Sequence, residues 1–548
     1  MVRESPHPPL KSLIMEALVN GAPEVLDSLD EETGRFVVDG GWGITSQDVI
    51  YPLALLYKTE DPANPYRGDE RFKEAALLGG DCIRRFQYED GRVEFLKSDG
   101  SRWGATYMPW TMYHWLETYI LLRDEMDEER RRDWCEGLTL ALNGMKREIK
   151  KAHVHNITTW KGMTLYRAGR FFNRRDLMDV GRSMVRRAVE AQDKAGFWPE
   201  HGGPTTHYNL VYIHSLGLYY EFSGDERVLE SLRRALEFQI AFTYPDGALV
   251  ETVDGRVKYG PSVSTSAIAA FTLFPKGRRY ARFLLTRMKE RGQLRRCTAS
   301  LATAYRYVHT GSEEEIPQDR RFYKVSPLNG KALVKREGSW FYCLSAFLTK
   351  PTPNRWGMDR QNYLSLWHEA SGLIIGGGNS KNQPGWSNFV VHDHGRTLHM
   401  ADAARISSGK DVDMLDLLYG QVHCKISVYT VSDGEALIEY STASVREPER
   451  PIQYNLTLHM VPGETIKASS GLERRLDEEE VIIPKVSGWV AHKNWRVEFD
   501  REVSLKWPVR PFNPYHKRGI APLSMAACTL SGVLRGEESQ RFRILVED

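Results

Sequence analysis

Hydrophobic residues between Leu10 and about Thr310 recur at steps of three and four, the spacing of an amphipathic helix. The pattern is plain in LKSLIMEALV from Leu10, in DVIYPLALLY from Asp48 and in MYHWLETYILL from Met112. Short polar stretches and glycine or proline turns separate these segments. The pattern predicts an N-terminal half built of many short helices.

The hydrophobic period changes near Glu313–Asp319 (EEEIPQD). Beyond this point β-branched and aromatic residues alternate with polar ones, as in QVHCKISVYTVSDGEALIEYS, and turn residues interrupt the runs. Ten or more strands without intervening helices favour antiparallel sheets. We therefore predict an α+β multidomain chain, with a helical catalytic domain at residues 1–312 and an antiparallel β-sandwich domain at residues 313–548.

A repeat is present in the helical half. Residues 68–91 (GDERFKEAALLGGDCIRRFQYEDG) match residues 224–247 (GDERVLESLRRALEFQIAFTYPDG) at one offset of 156, and a looser copy ends at Asp193–Glu200. The offset is three times 52, a suitable length for one helical hairpin, so about six hairpins fit this half. Stacked hairpins bury a continuous core, which predicts a closed (α/α) toroid of about six hairpins. An open solenoid or an irregular bundle is the alternative.

The overall charge and the cysteine pattern exclude some classes of protein. A net charge of +2 over 548 residues lacks the basic footprint of a nucleic-acid-binding protein. The six cysteines are scattered without paired spacing, which indicates reduced thiols rather than a disulfide framework. The segment MVRESPHPPLKSLIMEALVNG has no apolar signal core, and no apolar run is long enough to span a membrane. We expect a cytoplasmic protein with no nucleic-acid or membrane partner; a homo-oligomer stays open.

Candidate chemistry concentrates where two apolar helices are predicted to begin, at His155-Asn156 and at His207-Tyr208. Asn156 and Tyr208 are 52 residues apart, so on the toroid prediction they occupy equivalent positions on adjacent hairpins. Donors of these types suit β-elimination on a uronic acid, which needs a neutralised carboxylate, a base for the C5 proton and an acid for the leaving oxygen. A cation such as Arg167 would lower the pKa of the tyrosine. The structural alternative is helix capping.

Further candidates would bind an acidic oligosaccharide, because arginine holds carboxylates bidentately and aromatic rings stack on sugars. They are Arg102, Trp103, Tyr107, Trp160, Trp198, Glu200, His201, Arg355 and Arg360. For each aromatic residue among them, packing in the protein core is the alternative role. His392 and His394, in the β region, are candidates to complete the catalytic group.

An α-toroid followed by antiparallel sheets, with an Asn/His helix start and a tyrosine one hairpin later, resembles the heparinase II/III-like and oligoalginate-lyase-like polysaccharide lyases. The segment RQNYLSLWHEASGLIIGGGNS also looks like the start of their β region. The resemblance implies that Asn156 neutralises the carboxylate, that Tyr208 acts as acid, either alone or also as base, and that a histidine assists. The family has Asn followed by His, whereas here His155 precedes Asn156. The segment HMADAAR is similar to its metal motif, which implies a structural zinc or calcium at His399 and Asp402; no other cofactor is expected.

Two rival functions stay open on the sequence alone. A toroid glycoside hydrolase acting on glucuronate-containing oligosaccharides would need two carboxylates across a cleft, and Asp48, Glu94, Glu200 and Glu251 lie at predicted turns or helix starts. A non-catalytic carbohydrate-binding protein is the third possibility. The lyase is preferred, and a cytoplasmic lyase that meets imported oligosaccharides would act exolytically.

Overall fold

The structure is a computed structural model that describes residues 8–37, 44–96, 101–256, 262–393, 395–443 and 450–547; the side chains of residues 44, 45, 96 and 103 lie outside this description. The chain divides into two compact units. The first comprises the residues up to Trp198, Tyr208–Glu237 and Ser264–Ile316, and the second comprises Pro199–His207, Phe238–Val263 and the residues from Pro317 onwards.

Twelve α-helices occur among the described residues, all of them in the N-terminal part of the chain. They are α1 (Leu10–Asp27), α2 (Ile50–Lys58), α3 (Glu70–Arg85), α4 (Pro109–Leu122), α5 (Glu128–Ile149), α6 (Asn156–Phe171), α7 (Arg175–Glu190), α8 (Thr206–Ser223), α9 (Leu229–Ala241), α10 (Ile268–Phe271), α11 (Pro275–Glu290) and α12 (Ala299–Tyr307). Short 3-10 segments lie at Ile44–Val49, Arg123–Glu125, Glu226–Val228, Pro317–Asp319, Pro384–Trp386 and Leu523–Met525.

The helices of the first unit close into a ring. α2 contacts α4, α4 contacts α6, α10 contacts α12, and α12 returns to contact α2, while α1 contacts both α11 and α12. α8 completes the series, since it is hydrogen bonded to α6 and its Gly217 lies against Ala270 of α10. α4 is buried around almost its whole circumference, as expected of an inner helix, whereas α7 buries one stripe only. The helices therefore form hairpins with the odd-numbered member outside, which confirms the predicted (α/α) toroid.

The repeat in the sequence corresponds to a repeated turn after an outer helix. Gly91, Gly196 and Gly247 have φ angles of 90°, 91° and 88°, a region that side chains other than glycine disfavour. Each glycine N–H donates to the carbonyl three residues earlier, at 2.8, 2.9 and 2.9 Å. The three matched segments thus fold in the same way, which is why the sequence conserves glycine at this step of the repeat.

Twenty-four strands are described, most of them in the second unit. They are β1 (Leu29–Asp30), β2 (Arg35–Phe36), β3 (Val93–Leu96), β4 (Arg102–Thr106), β5 (Phe322–Val325), β6 (Ala332–Glu337), β7 (Trp340–Ser345), β8 (Asp359–Asn362), β9 (Leu364–His368), β10 (Gly372–Ile375), β11 (Gly378–Ser380), β12 (Phe389–Asp393), β13 (Arg396–Leu398), β14 (Ala403–Ser408), β15 (Asp413–Tyr419), β16 (Val422–Ser432), β17 (Glu435–Ala443), β18 (Ile452–Leu458), β19 (Thr465–Ala468), β20 (Glu473–Arg475), β21 (Val481–His492), β22 (Trp495–Val509), β23 (Ala527–Leu534) and β24 (Ser539–Val546).

Pairing among these strands is antiparallel throughout, as the alternating pattern predicts. β16 pairs with β17 and β17 with β24, and burial alternates residue by residue along β15 and β17. One face of each strand therefore packs on a shared apolar core that includes Trp340, Phe389 and Phe542. The order of helices first and sheets second is confirmed. The two-layer sandwich stays a prediction, because hydrogen bonding links eighteen of the strands into one network.

Two segments of the helical half belong to the β-rich unit by their contacts, namely Pro199–His207 and Phe238–Val263. The predicted domain boundary after residue 312 does not account for these two segments. The catalytic role predicted for residues 1–312 stays a prediction. None of the helices in the described ranges has the length and apolar character that a bilayer crossing requires.

Candidate active site

α6 begins at Asn156 because its first turn is closed by a threonine. The backbone N–H of His155 donates to Thr158 Oγ1 at 3.0 Å, and the His155 side chain accepts the backbone N–H of Thr158 in return. This is the reciprocal arrangement of a capping box, with threonine in place of glutamate. Asn156 is buried and His155 half-buried, so the helix start places an amide side chain in a sheltered position.

α8 begins in a different way, with a carboxylate supplied from 48 residues further along the chain. Asp254 Oδ2 accepts the Thr206 N–H at 3.0 Å and the Thr206 hydroxyl at 3.1 Å. Nδ1 of His207 lies 3.7 Å from the same oxygen. Burial would raise the pKa of the Asp254 carboxyl, but the hydrogen bonds and charge of His207 and the backbone N–H groups hold that pKa below its usual value. Asp254 therefore holds Thr206 and His207 in the first turn of α8. Tyr208 is the next residue in that turn.

The first turns of α6 and α8 lie side by side. Trp160 Nε1, four residues after Asn156, donates to the carbonyl of Val211, three residues after Tyr208, at 2.8 Å. Near the other ends of the helices, Arg170 Nη1 donates to the Phe222 carbonyl at 2.7 Å. α6 and α8 are thus parallel neighbours. Trp160 and Val211 each lie about one turn after the start of their helix. Asn156 and Tyr208 therefore occupy the same level of the ring.

A layer of buried rings lies one to two turns below this level. The Trp160 ring is 5.1 Å from His214 of α8 and 6.0 Å from His114 of α4. The Ala267 N–H donates to His214 Nδ1 at 3.3 Å. Burial, and then repulsion by His114, lower the pKa of His214 to about 3. Neither histidine was predicted as a site residue, because both lie in helical segments whose apolar pattern is typical of a protein core.

Asp48, one of the carboxylates considered for a hydrolase, faces one of these rings. Its Oδ2 lies 3.6 Å from His114 Nδ1. The predicted role of Arg167 beside Tyr208 is wrong, because Arg167 is bound to buried Glu117, with Nε 2.5 Å from Oε1. Arg167 is eleven residues, or about three turns, into α6 from Asn156. The Arg167 guanidinium therefore stabilises the helical ring through Glu117 and does not have the predicted role of lowering the pKa of the tyrosine.

The second unit places one of the predicted binding residues, Glu200, against an arginine that the sequence did not indicate. Arg256 Nη1 lies 3.3 Å from Glu200 Oε2, and Nη2 lies 3.4 Å from the Tyr515 hydroxyl. The Arg256 guanidinium lies 5.1 Å from the Trp356 ring centre. These four residues form what we call the Arg256 cluster. A guanidinium, two aromatic rings and a carboxylate are groups that recognise an acidic sugar.

Two more predicted residues lie beside the Arg256 cluster. Arg355 packs 5.4 Å from the Trp356 ring centre and donates to the His516 carbonyl at 2.7 Å. His201 adopts a φ of 54°, and its Nδ1 lies 3.2 Å from Asn354 Nδ2. The signal that could have found Arg256 and Trp356 is weak, since each is a single residue in a turn.

Arg360 is not available to a ligand, contrary to its prediction as a binding residue. It is buried, and it donates to the carbonyls of Val253 at 2.7 Å and Pro204 at 3.4 Å. Burial lowers the pKa of its guanidinium to about 10. Arg360 instead holds two loops together.

The predicted aromatic platforms are also used for packing. Trp198 is buried, stacks on Tyr212 at 4.8 Å and donates to the Ala188 carbonyl at 2.7 Å. Trp160 is buried in the ring layer, so neither indole is exposed for sugar stacking. Tyr107 donates to the Asp90 carbonyl at 3.1 Å, which gives it a role in the turn.

The remaining candidates are scattered. Arg102 is exposed in β4, and the Trp103 side chain lies outside the described residues. His392 is exposed in β12 beside Thr397, at 3.3 Å, while His394 is outside the description. Their catalytic roles stay predictions.

The metal site also stays a prediction. Asp402 Oδ2 accepts the Gly420 N–H at 2.7 Å, so one proposed ligand oxygen is already hydrogen bonded. In the part of the chain that the structure describes, no three histidine, cysteine or carboxylate side chains converge as a metal site would require.

The carboxylates that a hydrolase would need are engaged in internal bonds. Glu251 accepts the Tyr244 hydroxyl at 2.9 Å and the Gly377 N–H at 2.8 Å, and Glu94 accepts the Tyr88 hydroxyl at 2.7 Å. Glu200 lies against Arg256. The geometry therefore gives more support to the amide and phenol of α6 and α8 than to a carboxylate pair.

Comparison with solved structures supports the same fold. The chondroitin AC lyase of Streptomyces coelicolor A3, in complex with chondroitin sulphate, is 11% identical, with a TM-score of 0.53 over 100% of this chain and 80% of that chain. Heparinase III is 12% identical, with a TM-score of 0.52 over 100% of this chain and 85% of that chain. At these identities the likeness shows the toroid-plus-sheets fold alone. No curated protein sequence matches the chain.

Comparison with protein families gives a more specific result. The family described as "Ulvan lyase N-terminal domain" matches residues 43–317, just over half of the 548 residues. This range contains the whole of α2 to α12 and both helix starts. The protein therefore belongs to the Ulvan lyase N-terminal domain family and is a polysaccharide lyase.

Proposed function

We propose that this lyase cleaves uronate-containing glycans by β-elimination at the paired starts of α6 and α8, with Asn156 and Tyr208 as its catalytic residues. The observation that carries the proposal is the Trp160–Val211 bond, which sets the two helices parallel with their first turns at one level. This alignment supports a site in which the amide and the phenol would both reach a single sugar ring.

Asn156 would act on the C6 carboxylate of the uronate. A hydrogen bond from its side-chain amide N–H neutralises part of the carboxylate charge, so that the C5 proton becomes more acidic. The parallel N-terminal ends of α6 and α8 add partial positive charge in the same region, which favours the carboxylate and the charge that develops on it. Both effects are stronger in a sheltered position than in water.

Tyr208 would act in the proton transfers of the reaction. As C5 loses its proton, the C5–H electron pair becomes the C4–C5 double bond, the C4–O4 bond breaks, and the phenol donates a proton to the departing O4. The base is either Tyr208 in its phenolate form or an assisting histidine. His155 is the favoured assistant because it precedes Asn156 directly, whereas the His207 ring faces Asp254.

The substrate class is an acidic polysaccharide. The Arg256 cluster supplies a guanidinium with two aromatic rings, a combination suited to carboxylated or sulfated sugars. The family name refers to ulvan, and one structural neighbour is a complex with chondroitin sulphate. These polymers, together with a heparan-type chain, form the first panel to test.

The test is to incubate the purified protein with each polymer and to follow ultraviolet absorbance together with new reducing ends. β-Elimination yields an unsaturated uronate that absorbs in the ultraviolet, so both signals rise together. Reducing ends without the absorbance rise would show hydrolysis and would contradict the proposal. A neutral glucan is the matched control, and it should give neither signal.

We further propose exolytic action, because a cytoplasmic lyase would meet short imported chains. Short unsaturated products should then accumulate from the start while the long chains shorten slowly. A rapid early fall in the length of the polymer would show internal cleavage. Cell fractionation with an antibody to the chain tests the cytoplasmic location itself.

A further inference from the structure

The first and third copies of the repeat place the same two aromatic residues in opposite environments. Phe86 and Tyr88 follow α3, and their counterparts at the 156-residue offset, Phe242 and Tyr244, follow α9. Phe242 and Tyr244 are completely buried, whereas Phe86 is 50% exposed and Tyr88 is 44% exposed. Exposed aromatic side chains at matched positions call for a physical explanation.

A difference in local folding does not explain the exposure. The turns share their glycine geometry, and each tyrosine donates to a carboxylate just beyond its turn: Tyr88 to Glu94 at 2.7 Å and Tyr244 to Glu251 at 2.9 Å. The difference is in what covers them. Phe341 packs on the Tyr244 ring at 5.0 Å, and the surface of Phe86 and Tyr88 is left accessible.

Arginines surround this exposed pair. Phe86 and Tyr88 line a cavity of about 420 Å³ together with Arg35, Arg85 and Arg102, a size within the usual range for ligand sites. Within the described residues none of the three guanidinium groups forms an ion pair, and the polar bond of Arg85 is to the Thr33 carbonyl at 3.3 Å. The acidic member, Glu94, already accepts the Tyr88 hydroxyl.

We infer that this cavity, which we call the Phe86 cavity, binds a segment of acidic polysaccharide at a distance along the chain from the sugar being cleaved. The arginines pair with carboxylate or sulfate groups, and the exposed rings stack on sugar faces. A polymer held here is delivered to the α6 and α8 starts at a raised effective concentration. The inference rests on the proposed function for the identity of the ligand.

The Phe86 cavity makes polymer binding separable from turnover. Arg35→Gln/Arg85→Gln and Phe86→Ser are made in the Tyr208→Phe background, and affinity for an acidic uronate polymer is measured by calorimetry. We expect at least a roughly tenfold weaker affinity for each variant, about 1.4 kcal/mol. In the wild-type background, kcat/KM should be unchanged on a uronate trimer that occupies only the α6 and α8 starts.

Matched controls separate this site from surface effects. Phe322→Ser removes a ring that is 69% exposed in the second unit, and Arg175→Gln removes an arginine on the outer helix α7; both should leave polymer affinity unchanged. Unchanged affinity in the cavity variants would overturn the inference, and so would equal losses of kcat/KM on trimer and polymer. Cavity-dependent polymer binding without any turnover would leave the inference standing and remove the proposed function instead.

Discussion

The backbone N–H of Ala267 donates to Nδ1 of His214 at 3.3 Å, and this bond fixes the tautomer of a buried histidine. A neutral imidazole that accepts at Nδ1 must carry its proton on Nε2. Ala267 adopts a φ of 67° to make the contact, a conformation that costs free energy in a residue with a side chain. The His214 ring beneath the level of Asn156 and Tyr208 is therefore held in its neutral form.

This histidine predicts a dependence of stability on pH. The pKa of His214 is about 3 in the folded protein and about 6.5 when unfolded, so the unfolded state takes up a proton first as the pH falls. Stability is complete above pH ~6.5 and declines toward pH ~3, by roughly 2 kcal/mol between pH ~7.5 and ~5. Urea unfolding at both pH values should show a smaller decline in His214→Gln. An equal decline in the variant would contradict the assignment.

Trp160→Phe should reduce both stability and activity. The change removes the side-chain donor to the Val211 carbonyl, which keeps its bond within α8, so the loss of stability is about 0.5–1.5 kcal/mol, and it loosens the alignment of α6 with α8. Trp115→Phe is the matched control, since Trp115 is equally buried but its Nε1 makes no hydrogen bond within the described residues. Unfolding and kcat are measured for both. Similar activities in the two variants would show that the Trp160–Val211 bond does not set the site.

Glu117→Gln should destabilise the ring. Glu117 is completely buried and accepts from Arg167 and from Arg306, the latter at 2.8 Å, so the change leaves two cations without their counter-ion. A loss of about 3–5 kcal/mol is expected in urea unfolding. Glu230→Gln, which breaks the exposed pair with Arg233, should cost less than about 1 kcal/mol. A small effect at Glu117 would mean that the triad does not brace the helices.

Asn156→Asp should be more damaging than Asn156→Ala. Alanine removes the donor that neutralises the substrate carboxylate, for a loss of ~10²–10³ in kcat. Aspartate adds a negative charge that faces the substrate carboxylate, so KM should rise as well. Steady-state kinetics on a uronate oligomer separate the two parameters. An aspartate variant with full activity would exclude contact between Asn156 and the carboxylate.

The sequence was sufficient to predict the helical ring because its signals are local. Helical periodicity, the 156-residue repeat and the glycine at each repeated turn depend on neighbours within a few residues, and Gly91 and Gly247 do share one conformation. The levels of Asn156 and Tyr208 followed from the same repeat. The change to alternating residues near Glu313 likewise located the start of the sheets.

Burial and long-range partners were not predictable in the same way. Trp198 and Arg360 have the chemistry of sugar-binding residues, but tertiary packing buries both. Asp254 caps α8 from 48 residues away, and Arg256 meets Tyr515 across more than 250 residues. These relationships depend on how the chain returns on itself, which residue spacing does not encode.

The proposed mechanism depends most directly on the Tyr208 hydroxyl. Tyr208→Phe deletes that group alone, so turnover of a uronate polymer, followed by ultraviolet absorbance, should fall by ~10³-fold while polymer affinity and unfolding free energy stay at wild-type values. A variant that retains wild-type turnover would contradict the account.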